Sequence, residues 1–219
     1  MNEMPRFVRV WDPVVRISHW VVVVTFTIAY FTEEDLLTPH VWAGYLLGVT
    51  VVLRILWGFI GSPHARFSDF LYRPGTVIHY LYGLMTRRTE RYLGHSPGGG
   101  AMVLALWVVL VATVWSGLMV YAVKDKAGPL AGMVATNQTL ETPILPAPVP
   151  VATGKESKAE DEGGDDGKGG AGESWEEIHE VLANVALILV LFHIAGVLLA
   201  SYVHHENLIK AMFTGAKRT

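Results

Sequence analysis

Nine histidines and no cysteine set the chemistry open to this chain. They stand at positions 19, 40, 64, 79, 95, 179, 193, 204 and 205. Without cysteine there is no disulfide scaffold, no thiolate metal site, no cysteine nucleophile and no Cys-x-x-Cys-His attachment for a c-type haem. The informative pair is His179 and His193. Fourteen residues apart on one helix, they project from nearly the same face with an axial separation of about 21 Å. On a helix crossing a bilayer, that puts one ring near the outer end and the other deeper. A haem held from both sides needs a second imidazole at each depth. His40 opens another apolar block at the outer end, level with His179. His19 lies about one turn inside the first apolar block, on the side nearer His193. Arg54, fourteen residues after His40, falls at the depth of His193. A guanidinium in lipid needs an anionic partner, and a haem propionate, a quinone headgroup or a carboxylate would each serve. Arg16, at the head of the first block, joins Arg54 as a cofactor-binding candidate.

One intramembrane histidine alone serves as well as an interhelical hydrogen-bond donor or a proton relay. The joint pattern is narrower, with a 14-residue pair on one helix and one histidine at each matching depth on two others. Zinc suits it poorly, because each level offers two imidazoles and no carboxylate, and zinc sites take three or four protein ligands. Two neutral imidazoles across a macrocycle suit bis-histidine haem iron. Such iron has no open position and favours electron transfer over oxygen activation. No catalytic residue stands out. His204, eleven residues past His193, faces nearly the same way and is a near-haem candidate. His64, His79, His95 and His205 suit surface, loop or interfacial positions, and a proton-transfer role for one of the first three stays open.

These histidines need elements to hold them at depth. In 219 residues, apolar types make up 51% and charged types 17%, and mean hydropathy is +0.35. The charged share is below the roughly 25% of soluble domains. Residues 17–32, 101–123 and 181–205 contain no Asp, Glu, Lys or Arg, and 41–60 contain only Arg54. About 20 residues of helix cross the roughly 30 Å hydrocarbon core. No block alternates with period two, so helices are expected rather than a barrel. The expected fold is all-α, a four-helix transmembrane bundle with spans of about 16–32, 40–60, 100–123 and 178–204 in one domain over residues 1–219. A cleavable signal peptide is disfavoured for the first block, since no small-x-small site follows it.

The net charge is −3, yet the charges are segregated. Twelve of the 17 Lys and Arg fall on the side of the two termini, and 15 of the 20 acids fall on the other. Both termini are therefore expected in the cytoplasm. Residues 124–173 read as a flexible acidic periplasmic loop, Pro-rich at first and then low in complexity over 154–172. Ser174 and Glu177 have the spacing of a capping box opening the fourth helix. Within 67–92, Tyr72, Val77, Tyr80, Leu81 and Leu84 sit near helical spacing, which predicts an interfacial amphipathic helix. The acidic balance gives no support to nucleic-acid binding. There is no convincing internal repeat. Gly98, Gly99, Gly100 and Gly117 would permit close helix contacts, including those of a homodimer.

Several segments together resemble the bacterial cytochrome b561 family, in the branch that includes the b-type cytochrome subunits of nickel–iron hydrogenases. They are Val8-Arg9-Val10-Trp11-Asp12, Arg16-Ile17-Ser18-His19-Trp20, His40-Val41-Trp42-Ala43-Gly44-Tyr45 and Arg54-Ile55-Leu56-Trp57-Gly58. His64-Ala65-Arg66-Phe67, Tyr92-Leu93-Gly94-His95-Ser96-Pro97 and the His179–His193 helix with His205-Glu206-Asn207-Leu208 complete the set. The resemblance implies a four-helix bundle with two b haems, His40 and His179 as axial ligands of the outer one and His19 and His193 of the inner one. It also implies electron exchange between a periplasmic redox partner and the membrane quinone pool of a bacterial inner-membrane respiratory chain. The acidic outer loop would favour a basic partner such as a c-type cytochrome. It departs from the hydrogenase subunits, which leaves three functional alternatives open: an anchor subunit of a hydrogenase or dehydrogenase, a stand-alone superoxide:quinone oxidoreductase, and a haem-free transporter or structural protein. The acidic outer face counts against the second, and the lack of inverted repeats against the third.

Overall fold

The computed structural model describes residues 7–32, 36–86, 88–135 and 166–218. It is mostly helical, as the apolar blocks require. Helix α1 is Pro13–Phe31, α2 is Leu37–Ile60, α3 is Pro74–Met85, α4 is Pro97–Val123, α5 is Asp166–Val203 and α6 is Leu208–Thr214. Strands β1 (Phe7–Arg9) and β2 (Ala216–Arg218) pair antiparallel, Phe7 opposite Arg218 and Arg9 opposite Ala216. Among the described residues, four helices are long and apolar enough to cross a membrane: α1, α2, α4 and, in α5, Gly172–Val203. The expected spans and the expected helix within 67–92 are thus present.

Local sequence explains the helix ends. Asp12 caps α1, its Oδ1 accepting from the Val15 N–H at 2.9 Å, and Pro13 supplies the preset φ of the first helical position. Pro74 opens α3 and Pro97 opens α4 in the same way. Asn207 caps α6 through the Lys210 N–H at 2.7 Å, and Gly215 closes it at φ +79°, a conformation a side chain would strain.

One expectation, the Ser174 cap, is corrected at the start of α5. That helix begins at Asp166, so the last residues of the expected 124–173 flexible loop are helical, as are 131–135 nearer its start. Ser174 therefore lies inside α5 and does not cap it; its hydroxyl donates to the Gly170 carbonyl at 2.7 Å, four residues back. A Ser-x-x-Glu spacing fits a helix interior as well as a helix start. The rest of that loop, residues 136–165, and the acidic turn 33–35 lie outside the described residues.

The chain divides into two compact units, Met1–Val114 with Val181–Thr219, and Trp115–Glu180. In the first, Phe26 of α1, Leu47 and Val51 of α2, Leu110 of α4 and Ala186 of α5 form a buried cluster, joined by Val22, Ile55, Val114 and Val190. A second cluster gathers the two ends of the chain, Val10, Trp11, Val15, Ala65 and Ala211 with Trp57 and Met212. Large apolar side chains also cover the outside, with Trp42 at 70%, Phe59 at 69% and Val108 at 70% exposure. A soluble protein rarely exposes so much contiguous apolar surface. Here it suits a hydrocarbon solvent, and the chain is built as a multi-pass membrane protein.

Candidate haem-binding histidines and their surroundings

His19 and His193 meet. Their ring centroids are 6.5 Å apart, with the planes at 51°. Helix α1 brings His19 there because Asp12 and Pro13 fix its start, and α5 brings His193 because Ala186, fully buried two turns earlier, packs into the Phe26–Leu47–Val51 cluster. Trp20 lies edge-on to His19 at 5.2 Å and stacks on Phe213 of α6 at 4.4 Å. The Nδ1 of His19 is buried without a hydrogen-bond partner. Buried imidazole nitrogens ordinarily have one.

Arg54 lies in the same unit, 8% exposed, with its guanidinium 5.3 Å from the Trp107 ring and one terminal nitrogen buried without a partner. A guanidinium so placed asks for an anion. Arg16 is differently engaged. Its terminal nitrogen donates to the Phe213 carbonyl at 2.9 Å, tying α1 to α6, while its Nε has no partner. It lines an apolar groove of about 470 Å³ with Ile17, Trp20, Val21, Val24 and Phe213.

His40, in the same unit, has its Nδ1 2.8 Å from the Ala29 carbonyl. An acceptor there places the proton on Nδ1 and leaves Nε2 with its lone pair. In the second unit, His179 has its Nδ1 3.0 Å from the hydroxyl of Ser116. Each of the four histidines singled out from sequence is therefore located. The structure brings His19 and His193 together within one unit and gives His40 and His179 each a partner for Nδ1.

Sequence reasoning gave Asp12 and Lys217 no role in the polar hub near Arg54, and left His95 only an open proton-transfer role. Asp12 accepts from Val15 N–H, from Trp57 Nε1 at 3.1 Å and from the Ser62 hydroxyl. Burial raises its carboxyl, but those hydrogen bonds and the Arg54 charge outweigh burial and hold it below its usual value. His95, edge-on to Trp11 at 4.7 Å, is pushed down to about 3 by burial and by the Arg54 charge. Lys217 of β2 is 7% exposed and donates to the Tyr92 and Gly94 carbonyls at 3.3 and 3.4 Å. The Asp12-Pro13 dipeptide was the one sequence signal for this hub.

Compared with known families, residues 10–215 match the model described as prokaryotic cytochrome b561. The chain belongs to that family. Among curated proteins, this cytochrome is similar to a "Probable Ni/Fe-hydrogenase B-type cytochrome subunit" of Bradyrhizobium diazoefficiens, 29% identical over 41% of this chain and 47% of the relative. Proteins of the same description from Azotobacter vinelandii and Rhizobium leguminosarum bv. viciae are 28% and 31% identical, over 47% and 26% of this chain and 54% and 27% of theirs. The chain spans about half or less of the length of these relatives. No solved structure matches it.

A cytochrome b561 carries haem b, and the His19–His193 setting fits that group. Two metal–imidazole bonds of about 2 Å each, plus the reach from each nitrogen to its ring centre, add up to a separation like the 6.5 Å seen. The donor set is imidazole only, as bis-histidine haem asks. The unpartnered nitrogen of Arg54 adds the cation that an acidic porphyrin side chain needs.

Proposed function

We propose that this chain is a di-haem b cytochrome of the bacterial inner membrane, passing electrons between a periplasmic redox protein and the quinone pool. The approach of His19 to His193 carries the proposal. These two would hold the inner haem. His40 and His179 would hold the outer one, a pairing that rests on their sequence positions and on the family resemblance. When bound, the group would supply reversible one-electron chemistry. The chain's own work is to fix the imidazoles, exclude water with the Phe26–Leu47–Val51 cluster, and offer Arg54 to a propionate. Arg16 is a weaker propionate partner, since one of its nitrogens already serves Phe213.

The distribution of basic residues supports a cytoplasmic position for both termini. Quinone as the membrane partner rests on the family resemblance, and the open apolar groove beside Arg16 and Trp20 faces the bilayer in which a quinone would dissolve. The acidic outer segments favour a basic redox protein such as a c-type cytochrome, with binding that weakens in salt. A second reading, favoured by the names of the curated relatives, is a membrane subunit serving an iron–sulfur enzyme of the hydrogenase type.

The test is an optical redox titration of the purified protein with a short-chain quinone. A b-type α band that appears on reduction by dithionite and is lost on adding the quinone supports the proposal. A colourless protein, or one whose band the quinone leaves untouched, overturns it. Co-purification of an iron–sulfur subunit from native membranes would select the second reading.

A further inference from the structure

Ser116 and Gly117 are neighbours on α4, in the stretch 101–123 that carries no charged residue. Ser116 is 1% exposed, and a hydroxyl buried in an apolar helix is costly without a partner. Its Oγ lies 3.0 Å from His179 Nδ1. A Cβ built on Gly117 would stand 2.9 Å from His179 Cε1, 3.3 Å from Nδ1 and 3.5 Å from Nε2, so an alanine there would force the imidazole to move. The ring is thus held at its edge by a hydroxyl and at its face by a bare backbone. All three residues belong to the Trp115–Glu180 unit.

We infer that Ser116 and Gly117 are positioning residues that aim His179 at iron and tune the haem it holds. The inference rests on the proposed assignment of His179 as an axial ligand. An imidazole that binds metal through Nε2 keeps its proton on Nδ1 and donates it, here to Ser116 Oγ. That donation makes the imidazole a stronger base, which favours ferric over ferrous iron and lowers the midpoint potential. His40 is held likewise, its Nδ1 2.8 Å from the Ala29 carbonyl, whereas the Nδ1 of His19 has no partner. The haem that His179 holds would therefore have that ligand oriented by the protein and its potential held down by it.

The experiment uses the full-length protein with its haems, comparing wild type with His179→Ala, Ser116→Ala, Ser116→Thr and Gly117→Ala. Haem per chain, midpoint potentials and low-spin EPR signals are read for each. His179→Ala loses one haem. Ser116→Ala keeps both but raises one midpoint potential, so that at fixed poise the reduced-to-oxidised ratio of that haem rises roughly two- to tenfold. It also shifts one EPR signal, and Ser116→Thr restores both readouts. Gly117→Ala loses that same haem or turns it high-spin. If His179→Ala retains both haems, the ligand assignment itself fails. If His179→Ala loses one while Ser116→Ala moves no potential and no signal, the assignment stands and the positioning role is overturned.

Discussion

His19 and His40 share helix-borne positions in one compact unit but not their surroundings. His40 has its Nδ1 2.8 Å from the Ala29 carbonyl, so the fold sets its tautomer before any cofactor arrives. His19 has a buried Nδ1 without a partner, faces His193 at 6.5 Å, and shares its end of the bundle with Arg54, whose terminal nitrogen is also unpartnered. The difference teaches how the work is divided. Where the backbone supplies an acceptor, the protein orients the imidazole by itself. At the His19 end, the Arg54 guanidinium suits an acidic porphyrin side chain, whereas iron bound at Nε2 of His19 would give its Nδ1 no partner.

The sharpest way to break this comparison is to remove the two imidazoles separately. His19→Ala and His40→Ala should each lower haem content by one per chain, and the haem that survives should differ in midpoint potential between the two variants. If both variants keep the same haem, the division between the two settings is wrong. Next in size is Asp12→Ala. It deletes the α1 cap and the bonds from Trp57 and Ser62 together. A loss of about 2–3 kcal/mol is expected from such a set, seen as a lower melting temperature in detergent and as release of the inner haem before the outer. Arg54→Gln should lower the midpoint potential of the inner haem, because a nearby positive charge favours the ferrous state. The expected change is about tenfold in its reduced-to-oxidised ratio, with the outer haem unmoved. A redox titration of the variant shows both.

The last effect is that of pH. The His95 pKa is lowered from 6.5 to about 3 in the folded chain, first by burial and then by Arg54. Below 6.5 the unfolded chain takes up a proton that the folded one refuses, so stability is full above that pH and falls as pH drops toward 3. The slope cannot exceed about 1.4 kcal/mol per pH unit. Melting at pH 7 and pH 5 should show this loss in wild type and a flatter response in His95→Gln.

Much of the fold was legible because lipid leaves few choices. Stretches of helical length with at most one charged residue marked four spans, and α1, α2 and α4 end within about three residues of the expected bounds. The start of α5 was less legible. The Gly- and Asp-rich residues before Ser174 lower helix propensity, yet the helix reaches back to Asp166. The β1–β2 pair was not legible at all, since two three-residue strands from opposite ends of the chain have no period to detect. Among candidate site residues, the four histidines stand out by spacing. Asp12 shows no role in the sequence, because its partners Trp57 and Ser62 are 45 and 50 residues away. Gly117 reads there as a small residue for helix packing. A serine and a glycine side by side in an uncharged span could have hinted at an imidazole against that face.

Haem b per polypeptide, by pyridine haemochrome on the purified protein and on His193→Ala, tests the central claim most directly. Two haems in the wild type and one in His193→Ala are predicted. No haem in the wild type, or an unchanged content in the variant, would contradict the account.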